Sequence, residues 1–145
     1  MTADDPFDLH RFLQAQGPFL DAVTDELGGG RKRTHWMWFV FPQLKALGRS
    51  PTAQHYGVDS LDEAQAYLAH PTLGPRLRDM TDLVLRHTNR SAHAIFGSPD
   101  DLKFRSSMTL FDAVDGSDDQ PFRTALRAFY NDEPDRRTLE LIGRS

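Results

Sequence analysis

The clearest periodicity in the chain is the stripe Leu73, Leu77, Met80 and Val84, at i, i+4, i+7 and i+11, which predicts a helix with one buried face. Weaker stripes of the same period recur. Leu9, Phe12, Leu13 and Gln16 suit a first helix starting near Pro6, and Pro18 can open a second that carries Leu20, Val23 and Leu27 and stops at Gly28. Ser60-Leu61-Asp62-Glu63 has the spacing of a capping box, followed by Leu61, Ala64 and Leu68. Ser98-Pro99-Asp100-Asp101 reads as an N-cap, a proline at the first helical position and two acids facing the helix dipole, ahead of Phe104, Met108 and Phe111. Pro121 opens a helix with Phe122, Leu126, Phe129 and Tyr130 on its apolar face, and a last short one after Pro134 holds Leu139 and Ile142.

One segment breaks this pattern. Trp36-Met37-Trp38-Phe39-Val40-Phe41 is an unbroken apolar run that would cover every side of a helix, and Pro42 biases Phe41 away from helical backbone angles. Residues 35–42 are therefore expected to be extended and buried. Alternation would place Trp36, Trp38 and Val40 on one side and His35, Met37, Phe39 and Phe41 on the other. The prediction is an all-α fold: a compact bundle of about six to eight short helices with one extended aromatic segment, residues 1–145 forming a single domain.

Composition narrows the class. At 145 residues, 39% of them hydrophobic, the chain is long enough to bury a core without a covalent staple. It contains no cysteine, which excludes disulfides, a cysteine nucleophile and Cys-ligated metal. Met1–Asp8 is acidic and has no apolar run, unlike a signal peptide, and no window is long and apolar enough to span a membrane. The expected location is cytoplasmic. The net charge of −4 disfavours a general duplex-DNA binder.

Candidate chemistry gathers in three places. In the first, Arg31-Lys32-Arg33 precedes His35, both tryptophans of the protein and Gln43. An indole face can stack on a flat ring, a neighbouring cation can hold a phosphate, and a primary amide can read a polar edge. The alternative is that Trp36 and Trp38 are core, with their indole N–H groups bonded to backbone. The glycines at 28, 29 and 30 do not make a phosphate-binding loop, because the Gly-Lys-Ser/Thr ending is missing. The second place is His70-Pro71-Thr72-Leu73-Gly74-Pro75-Arg76, a stiff corner that presents Arg76 or ties it into a salt bridge. The third is Asp100 to Ser107, where Lys103, Ser106 and Ser107 share a helix face. Lysine precedes serine here, the reverse of the penicillin-recognising Ser-x-x-Lys order, so binding of an anionic oxygen is preferred over a Ser–Lys catalytic pair. The six histidines show no metal-ligand spacing, and no metal is assigned.

The order of these stretches resembles a known family. Arg31 to Gln43, Asp59 to Leu68, His70 with Leu73-Gly74-Pro75-Arg76-Leu77, and Ile95-Phe96-Gly97 with Asp100-Asp101-Leu102-Lys103 and Ser106 to Phe111 are similar to the bacterial domain-of-unknown-function family 1810. Some of its members carry a calpastatin label. The likeness runs from about Asp5 to Arg137, and Arg49 before Ser50 departs from it. It implies a compact, mainly helical domain and no particular activity or cofactor. A looser likeness, in size, helicity and Trp, Glu and Gly usage, is to small YbiA-like proteins linked with NAD-derived or ADP-ribose compounds.

The functional expectation is a cleft for a small anionic, partly aromatic ligand, a nucleotide or an NAD/ADP-ribose-like molecule. Arg33, Trp36, Trp38, Gln43, Arg76, Lys103, Ser106 and Ser107 are the binding candidates. If a reaction occurs, hydrolysis or transfer at a glycosidic bond is the reaction to expect, with His35 or Asp101 as acid–base group. The alternative is a protein- or RNA-interaction module without chemistry. Cofactor and oligomeric state are left open by the sequence.

Overall fold

A computed structural model describes residues 5–144. Met1–Asp4, half of the acidic N-terminal stretch, and Ser145 lie outside the described residues. The chain is all-helical. Its α-helices are α1 His10–Gln16, α2 Leu20–Gly28, α3 Met37–Val40, α4 Pro51–His55, α5 Leu61–Ala69, α6 Leu73–Leu85, α7 Ala92–Phe96, α8 Asp100–Asp115, α9 Pro121–Tyr130 and α10 Arg136–Leu141. Two 3₁₀ turns, Gly17–Phe19 and Lys45–Leu47, connect neighbours. Among the described residues the only sheet-like pairing is a parallel bridge between Leu44 and Val58.

Helix α8 is the axis of the fold. It packs against α5, α7, α9 and α10, while α6 packs against α2, α5 and α9. The predicted stripe Leu73, Leu77, Met80 and Val84 is buried along α6. Phe104, Met108 and Phe111 are buried along α8. Among the described residues a single cluster of buried residues runs from Leu9 to Leu126.

The helix starts show where local signals hold. Ser60 caps α5, accepting from the Glu63 N–H at 3.2 Å, but the Glu63 carboxylate reaches back one residue further than in a capping box, to the Asp59 N–H at 3.1 Å. Its other oxygen is held by the Arg11 guanidinium at 2.7 Å. Helix α1 starts at His10 rather than near Pro6, because the Asp5 carboxylate accepts from the N–H groups of Leu9 and His10. The bond from Leu9 is the main reason the Asp5 carboxyl lies below its ordinary pKa. Helix α8 starts two residues after Ser98, and Ser98 does not cap it. The carbonyls of Gly97 and Pro99 take the first N–H groups instead.

Two expectations need correction. The described α-helices number ten where about six to eight short ones are expected. Residues 35–42 are also not extended throughout: Met37–Val40 forms one helical turn, closed by Phe41 N–H on the Met37 carbonyl at 3.2 Å. A long helix with apolar residues on every side would have to be enclosed along its whole length. A single turn can be enclosed, and α1 covers one flank of it. Pro42 does limit it, holding Phe41 at φ −122° and ψ 76°.

Gly74, in the first turn of α6, lets the α5–α6 corner close. A Cβ there would lie 2.1 Å from the Leu68 carbonyl oxygen, which is backbone and cannot rotate away. Gly74→Ala is expected to cost about 1–3 kcal/mol by forcing the two helices apart. Urea unfolding checks this, and an unchanged midpoint would show that the corner gives freely.

Candidate functional site

The aromatic stretch is positioned from below by one carboxylate. Glu26, in the last turn of α2, is only 4% exposed. Its oxygens accept from the N–H groups of Arg33 (2.6 Å) and Thr34 (2.9 Å), the Thr34 hydroxyl (2.6 Å) and the Trp36 indole N–H (3.1 Å). Burial pushes the Glu26 carboxyl up, but these four donors outweigh it and hold the pKa at about 2. The loop after α2 is thereby folded back, and Trp36 is fully buried. Trp36 is a core residue with its indole nitrogen on a buried carboxylate.

The turn of α3 sends Trp38 elsewhere. It is half-buried, with the Lys103 ammonium 5.3 Å from its ring centroid. Trp38, Phe41, Gln43, Tyr56 and Lys103, with Ala53 and Gly57, line a narrow cleft of about 10 Å³. That is room for a group the size of one water. The Gln43 carbonyl accepts from Val58 N–H at 2.9 Å, which anchors that wall. The ring of Phe41 stands edge-on to Phe104 of α8, with centroids 5.0 Å apart, and so holds α8 against the aromatic stretch.

A small charge cluster adjoins the cleft through Lys103. The Lys32 ammonium donates to the Thr34 carbonyl at 2.6 Å, pairs with Asp100 Oδ2 at 2.9 Å and lies 5.0 Å from the Trp36 ring centroid. The other oxygen of Asp100, Oδ1, is 3.6 Å from the Lys103 ammonium. One carboxylate is thus shared by two lysines, each set over a tryptophan.

The predicted residues divide into those that meet and those that do not. Trp38, Gln43 and Lys103 meet in the cleft. Ser107 lies one turn beyond Lys103 on the same face of α8. Its hydroxyl is buried and has no hydrogen-bond partner. Ser106 is turned toward α10, its hydroxyl reaching the Leu102 carbonyl and Asp135, the residue that caps α10. Arg76 is on the Val40 flank of α3, where its guanidinium donates to Gln16 Oε1 at 3.3 Å. No described carboxylate lies within ion-pair distance of it. Gln16 in turn donates to the Phe39 carbonyl and to the Tyr67 hydroxyl, a phenol whose burial raises its pKa. Residues 38 and 40 stand nearly opposite on a helical turn, so Arg76 and Lys103 reach different sides of α3. Arg33 and His35 are exposed, Arg33 being held only through its backbone N–H. Asp101 accepts from its own Leu102 N–H and lies 3.7 Å from the His93 ring nitrogen.

Sequence reasoning missed Glu26, Asp100 as a shared partner, and Tyr56. Asp100 was readable only as a helix-start acid, and an acid in an amphipathic helix gives no sign that a distant loop will fold over it. Among the described residues, no three side chains of His, Asp or Glu are placed to hold a metal ion, and no helix is long and apolar enough to cross a membrane.

Residues 6–142 match the model of the family described as "Protein of unknown function (DUF1810)". The fold is similar to the crystal structure of the conserved hypothetical protein Rv1873 from Mycobacterium tuberculosis. The two share 53% sequence identity with a TM-score of 0.90, over 97% of this chain and 100% of that one. No curated protein matches the chain. A match over nearly the whole length, together with this shared fold, means that the chain belongs to the DUF1810 family.

Proposed function

We propose that the protein binds a small anionic, partly aromatic molecule at the Trp38–Gln43–Lys103 cleft, a nucleotide or an NAD/ADP-ribose-like compound being the class to test first. The observation that carries this reading is the Trp38–Lys103 pair at the cleft mouth. A half-buried indole beside a partly exposed ammonium offers stacking and charge neutralisation at one place. The cleft itself admits only a small group, so the ring of the ligand would rest against the exposed part of Trp38. Neither His35 nor Asp101 lines this cleft, and release of free base or nicotinamide on incubation would report hydrolysis if the bound molecule reacts.

The test is a thermal-shift and tryptophan-fluorescence titration with NAD, ADP-ribose, nucleotides and polyphosphate. Binding should quench Trp38, and Lys103→Ala should weaken it about five- to tenfold, the worth of one charged contact at a partly exposed site. No response from a folded sample to any of these compounds overturns the nucleotide reading.

A second reading, a protein- or RNA-interaction surface, draws on the exposed Arg31, Arg33 and His35 and on Leu102, which is 58% exposed in the first turn of α8. Reversing the charge at Arg31 and Arg33 separates the two. It should abolish RNA or acidic-peptide binding under the second reading and leave small-molecule binding at Lys103 intact under the first.

A further inference from the structure

Resting on the cleft as a binding site, we propose that the Lys32–Asp100–Lys103 cluster accepts one negative charge per contacting group, an aromatic carboxylate or a singly charged phosphate such as one half of an ADP-ribose-type pyrophosphate, and that Asp100 sets this selectivity. The Lys32 side chain is 6% exposed, and its ammonium is taken up by the Thr34 carbonyl, Asp100 and the Trp36 face. It has little to offer a ligand. The Lys103 side chain is 25% exposed, and its one ion pair is the 3.6 Å contact with Asp100. An ammonium carries three donors, so Lys103 keeps donors for an incoming oxygen.

The charges then decide the class. Two ammoniums sharing one carboxylate leave a net charge of +1 beside the cleft. One oxyanion charge neutralises the cluster, while a second would stand unpaired next to Asp100. The adjacent acid, Asp101, is directed to its own Leu102 N–H and to His93, outside this cluster. Lys32 and Asp100 are therefore positioning residues. Lys32 holds Asp100 at 2.9 Å and so keeps it from closing fully on Lys103.

Removing one charge at a time tests this. Benzoate, the neutral isostere benzamide and the doubly charged phenyl phosphate are titrated into wild type, Asp100→Asn and Lys32→Gln, with Trp38 fluorescence and the Lys103 ammonium NMR signal as readouts. Wild type should prefer benzoate to both other compounds. Asp100→Asn should strengthen phenyl phosphate binding about fivefold, and Lys32→Gln should weaken benzoate binding by a similar factor, as expected for one partly screened charge. Asp100→Asn alters a partly exposed side chain and carries the test alone if Lys32→Gln does not fold. Benzoate binding with no gain for phenyl phosphate in Asp100→Asn overturns the selectivity inference and leaves the cleft as a binding site. No binding of any of the three compounds to wild type overturns both.

Discussion

Replacing Phe104 with alanine is expected to destabilise the protein by about 4 kcal/mol, the usual cost of deleting a fully buried aromatic ring. Phe104 is fully buried in the first half of α8. Its ring centroid lies 4.6 Å from that of Phe96 in a stacked arrangement and 5.0 Å from that of Phe41 edge-on, with Phe129 and Tyr130 each at 6.4 Å. Rings from α7, α9 and the aromatic stretch therefore converge on one side chain of α8. Removing it leaves a cavity whose walls belong to four separate elements, which cannot collapse together. Against a typical total stability of about 5–15 kcal/mol, the loss is a large share. Urea unfolding should show a lower midpoint with an unchanged slope, and Phe104→Leu should recover roughly half. A loss below about 1 kcal/mol would mean that the ring cluster is not what joins α8 to the aromatic stretch. Because Lys103 precedes Phe104, the same variant should also loosen the Trp38–Lys103 contact and lower Trp38 quenching by ligand.

Glu26→Ala is expected to cost about 3 kcal/mol, since it leaves the Arg33 and Thr34 N–H groups and the Trp36 indole N–H without their acceptor. Glu26→Gln should cost nearly as much, because one of its two acceptors becomes an NH₂ group facing other donors. The acid dependence follows from the lowered carboxyl. Its folded pKa of about 2 lies below the ordinary value of 4.5, so its contribution is fully present above pH 4.5 and is lost as pH falls toward 2. Over that window the loss is about 3 kcal/mol for this one group. Asp5 and Asp115 also have lowered carboxyl pKa values and add to the acid sensitivity of the whole protein. The difference between wild type and Glu26→Gln isolates Glu26. It should be largest near neutrality and shrink steadily below pH 4.5, and a difference constant with pH would remove Glu26 as the acid-sensitive group.

The α6 stripe and the capping Ser60 were readable because each depends on residues within one or two turns of itself. The same holds for Pro42, which limits α3 through its immediate neighbour. Three features at the site were not readable for the same reason in reverse. Trp36 and Trp38 differ by two positions, yet one is core and the other lines a cleft, because a helical turn rather than a strand separates them. Arg76 and Lys103 both carry spare donors, but α3 stands between them. Ser106 and Ser107 are adjacent, and one serves the cap of α10 while the other is left without a partner.

Local spacing determined that the chain is helical, that α2 stops at Gly28, that α5 and α9 start after Ser60 and at Pro121, which face of the predicted helices is apolar, and that His35 to Gln43 is the densest polar-aromatic stretch. These properties follow from hydrogen bonds and side-chain periodicity within a few residues. The tertiary structure alone decided that Glu26 anchors the loop, that Asp100 is shared between Lys32 and Lys103, and that Trp38 and not Trp36 faces the cleft. Each of those contacts joins residues from different elements, and only packing around α8 brings them within a few ångströms.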